Sequence, residues 1–176
     1  MIHHHIYRVP NFNEHKQNLI DLIYKIPQNP IDVLGDKIFH QDYGLPKTMK
    51  REYKEYFQDH IFNGFASAIC QFLGSRGIEI TNLWFQIYKK GDYHDIHTHP
   101  NTNLTNVFYI NLPNTEIKTE LCLPKDEKFT IDVNEGDILT FPGYYAHRSP
   151  VNIFKEDKII ISFNMKINKI CYDIPS

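Results

Sequence analysis

The sequence predicts a mainly β domain, a sandwich or barrel, with helices from its N-terminal part packed on the outside. Three observations lead there. From residue 78 the apolar pattern changes from a helical period to a strand-like one. The second half then reads as many short apolar runs separated by Gly, Pro and Asn turns. Aromatic residues make up 14% of the chain, which suits a β-rich core. The 176 residues suffice for one domain with a real core and are few for two. Residues 1–176 are therefore expected to form one domain, with a helical support region over 1–77 and a β core over 78–168.

In chain order, Ile6-Tyr7-Arg8-Val9 is an edge-strand candidate ended by Pro10. Asn13 reads as a helix N-cap, Leu19, Ile20, Leu22, Ile23 and Ile26 follow at helical spacing, and Pro27 stops the run. Residues 27–47 read as irregular, with one short strand. Thr48 reads as the cap of a longer helix. Its apolar stripe runs through Tyr53, Tyr56, Phe57, Ile61, Phe65, Ala68, Ile69, Phe72 and Leu73, with Gly64 interrupting and Gly74 and Gly77 ending it. Such a stripe most simply packs against a sheet. Strands are expected at Ile78–Tyr88, Val107–Ile110, Thr119–Leu123, Phe129–Val133, Ile138–Phe141 and Lys158–Lys166.

Composition narrows the function. The net charge of -2 gives no general pull toward nucleic acid or an anionic membrane. No apolar run approaches the ~20 residues that span a bilayer, and the N-terminus lacks the apolar core of a signal peptide. Cys70, Cys122 and Cys171 are odd in number and widely spaced, which suits reduced thiols in a cytoplasmic protein. His3, His4 and His5 read as native sequence without a metal role, and His15, His40 and His60 as surface residues.

Chemistry concentrates in two stretches. Gly91-Asp-Tyr-His94-Asp95-Ile-His97-Thr-His99-Pro100 carries three histidines and two aspartates. In an extended chain His97 and His99 point the same way, a start for a metal site. Asp95 shares that face if the strand is regular, and His94 takes a supporting place. The second stretch, Glu135-Gly136-Asp137 to His147, reads as a tight turn, a strand over Ile138–Phe141, a bend at Pro142-Gly143, and then a histidine. Lys158 follows eleven residues later and opens a strand containing Ser162 and Asn164. Lys158 also fits an exposed strand end, and Trp84 and Tyr88 also fit plain core packing. Arg148 is the rival anchor for an acidic ligand. Asn106 and Asn164 face a pocket if the fold is as expected.

Trp84 with Gln86 and Tyr88, Gly91, His97-Thr-His99-Pro100, Val107-Phe-Tyr109, Gly136, Phe141-Pro142, His147 and Ser162-Phe163-Asn164 together resemble the 2-oxoglutarate/iron(II)-dependent oxygenases. More narrowly, they resemble the small phage and marine-bacterial branch of that superfamily, over about half the chain. The resemblance implies a double-stranded β-helix (jelly roll) and a dioxygenase that uses Fe(II), 2-oxoglutarate and molecular oxygen to hydroxylate a small-molecule or peptidyl substrate. It implies that His97 and His147 hold iron and that Lys158 pairs with the far carboxylate of 2-oxoglutarate. Tyr88 and Ser162 then hydrogen-bond the same cosubstrate. A homodimer is the candidate assembly.

The chain departs from the family pattern at two places. His99 stands where most of the superfamily has a carboxylate. The third ligand is therefore His99 or a carboxylate such as Asp95. Lys158 replaces the more usual arginine, keeping the charge and losing the bidentate fork. Two other readings remain. Gly91, His97-x-His99, Gly136, Pro142 and His147 also echo the two cupin motifs, which implies a three-histidine metalloprotein without 2-oxoglutarate. The third reading is a non-catalytic, metal-stabilised binding module.

Overall fold

Alternating side chains on three long strands account for most of the architecture. The computed structural model describes residues 3–122 and 127–170. The expected residues Leu123 and Cys171 lie outside them. The chain begins with β1 (His5–Arg8), α1 (Phe12–Tyr24), β2 (Ile31–Val33), β3 (Asp36–Ile38) and β4 (His40–Gln41). Next come α2 (Glu52–Phe57), one π-helical turn over Gln58–Phe62, and α3 (Asn63–Leu73). The β half comprises β5 (Ser75–Tyr88), β6 (Tyr93–His97), β7 (Leu104–Asn111), β8 (Glu120–Cys122), β9 (Lys128–Thr130), β10 (Asp137–Pro142), β11 (His147–Ser149) and β12 (Lys158–Ile170). No helix among the described residues is long and apolar enough to cross a membrane.

Two six-stranded antiparallel sheets face each other. The first has the order β1-β10-β7-β12-β5-β4 and the second β2-β3-β6-β11-β8-β9. In the first sheet, Phe85 and Ile87 of β5, Phe108 and Ile110 of β7, and Ile159, Ile161, Phe163 and Met165 of β12 pack under the helices. The helices answer with Leu19, Ile23, Tyr53, Phe57, Phe65 and Ile69. The alternate residues Tyr88, Val107, Tyr109 and Ile160 point inward, against Ile38, Leu121, Ile131 and Val133 of the other layer. A strand buried on both faces reads as a near-continuous apolar run, as β7 and β12 do. The expected arrangement, a jelly roll with N-terminal helices outside, is the one found.

Phe163 is fully buried, with ring centroids 5.3 Å from Phe57 and 5.4 Å from Phe65. Phe163→Ala is expected to lower stability by about 3–5 kcal/mol, and Tm by roughly 6–20 °C. Thermal unfolding followed by circular dichroism checks this.

Several local expectations change. The first helix starts at Phe12, and its N-cap is Asn11 in the left-handed region at φ 51°, not Asn13. Asn tolerates that conformation better than most residues because its short side chain bonds locally. Thr48 caps nothing, since α2 begins at Glu52. Gly74 ends α3 at φ 62°, and Ser75 already opens β5, so Gly77 lies within a strand. Residues 27–47 hold three short strands rather than one. His40 is buried, receiving a hydrogen bond from the Asn29 N–H and meeting the Ile26 carbonyl at 3.1 Å, so it is no surface residue. His15 is half-buried against the Tyr56 hydroxyl at 2.9 Å, while His60 is exposed as expected. Strand β9 spans Lys128–Thr130 and so covers only 129–130 of the expected Phe129–Val133.

Candidate metal centre

The inner face of the first sheet makes one wall of a narrow cleft. Alternation on β5 and β12 places Trp84, Gln86, Tyr88, Ile160 and Ser162 there. The second sheet supplies the opposite wall with His94, His97 and His147, and His99 follows just beyond the end of β6.

His97, His99 and His147 each offer a ring nitrogen, and these atoms lie within 4.8 Å of one another. Strand pairing produces this meeting, because His147 of β11 stands opposite His97 of β6. The His99 N–H is held by the Gly143 carbonyl at 2.8 Å. A Cβ at Gly143 would stand 2.9 Å from the His99 carbonyl oxygen and 2.5 Å from the Thr102 methyl. Glycine therefore permits the close approach that brings the His99 segment in.

Hydrogen bonding prepares two of the rings. His97 Nδ1–H donates to the Asp95 carbonyl at 2.7 Å, and His147 Nδ1–H donates to the Tyr145 carbonyl at 2.9 Å. A carbonyl only accepts, so each bond leaves the Nε2 lone pair for a metal. His99 Nδ1 meets the Asn164 amide at 3.2 Å. A half-turn of that amide exchanges donor for acceptor, so either His99 tautomer is accommodated. Burial, then repulsion from His97, pushes His99 down to about 4 and His147 to about 3. Neutral imidazoles are the metal-binding form. The donor set therefore fits a divalent transition metal.

Asp95 does not join them. The β6–β11 ladder pairs His147 with His97 but Ser149 with His94, so β6 carries an extra residue between them. This bulge breaks the alternation that would have put Asp95 beside His97. Instead the exposed Asp95 carboxylate accepts the Ile96 N–H at 2.7 Å and lies against Gly35. The same bulge brings His94 over His97, with the rings stacked at 3.9 Å. His94 also stands 3.4 Å from Asp36, and burial lowers it to about 4.

Lys158 is fully buried at the first position of β12, not exposed at a strand end. Its Nζ donates to the Ile117 carbonyl at 2.6 Å and to Ser149 Oγ at 2.8 Å, and lies 5.3 Å from the Tyr88 ring centre. Two of its three N–H donors are used, and it forms no ion pair among the described residues. Burial brings it down to about 7, although Glu120 acts in the opposite direction. A buried cation without a counter-charge is costly. Tyr88 and Ser149, which touch it, both line the cleft. Burial pushes the Tyr88 hydroxyl well up. Ser162 donates to Gln86 Oε1 at 3.3 Å on the same wall. Arg148 lines the cleft too, but its Nε is held by Glu120 at 2.6 Å. Asn164 reaches the site through His99, whereas Asn106 is buried away from it, bonded to Thr140 and the Phe163 carbonyl.

Sequence reasoning had no role for Ser149, Asp36 or Glu120. The one available signal was the position of Ser149, two residues after His147 and so on the same strand face.

No protein-family model matches the chain, and no curated protein matches it by sequence. Solved structures do match. A prolyl-4-hydroxylase from Pseudomonas putida superposes with a TM-score of 0.64 at 12% identity, covering 96% of this chain and 94% of that one. The collagen prolyl hydroxylase of Paramecium bursaria Chlorella virus-1, in complex with 2-oxoglutarate, gives 0.58 at 17% identity over 94% and 96%. The α-ketoglutarate-dependent epimerase SnoN of nogalamycin biosynthesis gives 0.68 at 13% identity over 97% and 82%. The chain has the double-stranded β-helix fold of the 2-oxoglutarate/iron(II) oxygenases.

Proposed function

We propose that the protein is an Fe(II)- and 2-oxoglutarate-dependent dioxygenase. The observation that carries this reading is a cleft holding three convergent imidazoles, with a fully buried lysine directly behind its Tyr88 and Ser149 wall that forms no ion pair among the described residues. Such a lysine suits a dianionic cosubstrate that reaches from the metal to its far carboxylate. The solved structures of this fold include 2-oxoglutarate-dependent hydroxylases and an epimerase, which supports the same reading.

His97, His99 and His147 would hold the metal on one face, leaving the opposite positions for ligands. Iron(II) with 2-oxoglutarate and oxygen supplies the oxidation of a C–H bond, with succinate and carbon dioxide released. Lys158 fixes one end of the cosubstrate by charge, with the Tyr88 and Ser162 hydroxyls beside it. Val107, Ile160 and Trp84 line the same cleft and keep water out. The substrate is a small molecule or a peptide, and the reaction on it is hydroxylation.

Arg148 is the weaker candidate for the anchor because Glu120 already holds it. Arg148→Ala is expected to change 2-oxoglutarate affinity by no more than about twofold, read by anaerobic titration.

One observation favours a second reading. A carboxylate is missing from the ligand set, and a three-histidine dioxygenase that does not use 2-oxoglutarate would have that set. Incubation with iron(II), 2-oxoglutarate and air separates the two. The proposed function predicts succinate formation in excess of a metal-free control; its absence, with iron bound, gives the second reading.

A further inference from the structure

The cleft at the metal centre is not isolated. His99 and Trp84 border it, and His99 also borders a second cleft with Tyr43, Asn82 and Asn164. Tyr43 and Asn82 in turn border a third, open groove of about 970 Å³, which Trp84 also lines. Shared lining residues set the three clefts in succession, as a trough running from the three histidines to the segment 42–51. Its far part alone reaches the upper end of the ~300–1,000 Å³ range of small-molecule pockets.

Strand pairing explains why the trough is there. β4 pairs with β5 only at His40–Ile87 and Gln41–Gln86, and then the chain leaves the sheet at Asp42. Among the described residues no strand takes the lane on the β4 side of residues 81–84 of β5, where Lys54 Nζ donates to the Leu83 carbonyl. The trough occupies that lane, with residues 42–51 as its other wall. Its middle is uncharged, presenting Thr81, Asn82, Asn101 and Asn164 around the exposed ring of Tyr43. Amide and hydroxyl groups of this kind match the donors and acceptors of an extended main chain.

Its far end is cationic in a chain whose net charge is -2. Lys47, Lys50, Arg51 and Lys54 line the groove there against Asp42 and Glu55. The single Asp42 carboxylate serves both Arg51, at 2.8 Å, and Lys54, at 3.5 Å. Lys47 is exposed and has no ion-pair partner among the described residues. Four cations line the groove against two carboxylates, and Glu52 just outside it pairs with Lys50 at 3.0 Å, which leaves an excess of one. That suits a segment with one or two acidic side chains and is far from the ~6–10 phosphate contacts of a nucleic-acid site.

We infer that this trough is the substrate path, and that it takes an extended peptide with one or two acidic residues to one side of the residue presented at the histidines. The inference rests on the oxygenase reading and narrows its substrate from "small molecule or peptide" to an acidic peptide.

The test pans a random dodecapeptide display library over the full chain, loaded with iron(II) and 2-oxoglutarate and kept free of oxygen. The Lys47→Glu/Lys50→Glu double variant is panned in parallel, since both side chains are exposed and carry no buried contact. The expected result is enrichment of peptides with one or two Asp or Glu on one side of a shared position. Capture by the double variant is then about tenfold lower or less. No enrichment, enrichment of peptides without acids, equal capture by the double variant, or tighter binding of a random single-stranded dodecanucleotide overturns the inference. The visible band of the iron–2-oxoglutarate chelate, read on the same sample, separates the two levels. The band without peptide capture removes the peptide path alone. Capture without the band shows a peptide-binding trough but removes the oxygenase reading and, with it, the substrate path.

Discussion

His147→Ala is expected to weaken iron(II) binding by about 100- to 1,000-fold. The size follows from dividing the ~10–16 kcal/mol of a four-ligand metal site among its ligands. His147 is 4% exposed, its Nδ1 is tied to the Tyr145 carbonyl, and it lies between two strands that fix its place. Among the described residues the cluster that can hold a metal consists of His97, His99 and His147. Asp95 is the only carboxylate in its histidine segment apart from the buried Asp92, and the β6 bulge turns Asp95 out. Asp95→Ala is therefore expected to leave iron affinity unchanged within about twofold. Anaerobic calorimetric titration with iron(II), with circular dichroism to confirm folding, reads both. A large loss in the Asp95 variant would return the carboxylate to the ligand set.

The second large effect concerns Lys158. Lys158→Ala is expected to weaken 2-oxoglutarate binding by about 10- to 100-fold, the ~1.5–3 kcal/mol of a charge-assisted hydrogen bond, with iron binding retained. Its pH dependence carries a sign that can be checked. Burial lowers Lys158 to about 7 in the free protein, where Tyr88, Ser149 and the Ile117 carbonyl surround it and Glu120 is the carboxylate acting on it. A bound carboxylate favours the charged form, so binding above that value must take up a proton. Affinity then stays level below pH ~7 and falls above it, to about tenfold weaker at pH 8 than at pH 6. In Lys158→Arg the charge is permanent, and the profile should be flat. A flat profile in the unsubstituted protein would show that Lys158 is not the anchor.

Much of this molecule can be read from its sequence, for identifiable reasons. The end of β5 (residues 84–88), most of β7 and the first part of β12 (residues 158–165) are buried on both faces, so their apolar runs declare themselves. His97, His99 and His147 are legible because two lie on one short segment and the third follows a Pro-Gly bend. What escaped reading depends on pairing between distant segments. Of the three short strands of residues 27–47, β3 and β4 depend on partners in β6 and β5, and β2 depends on β3. The bulge in β6 is a mismatch in length against β11, and no residue within Tyr93–His97 signals it. With it went the expected position of Asp95 and the stacking of His94 on His97. His40 and Lys158 are polar residues whose burial is decided by neighbours more than ten residues away, Ile26 and Ile117 among them. The tie between Arg148 and Glu120 is likewise a cross-strand event between β11 and β8.

The central claim is that the three histidines and Lys158 together hold iron(II) and 2-oxoglutarate. It is tested most directly by titrating 2-oxoglutarate into the iron(II)-loaded protein without oxygen and recording the visible spectrum. The account predicts a saturable charge-transfer band of the chelate, weakened in Lys158→Ala and absent in His147→Ala. Iron bound with no band at any 2-oxoglutarate concentration would contradict it.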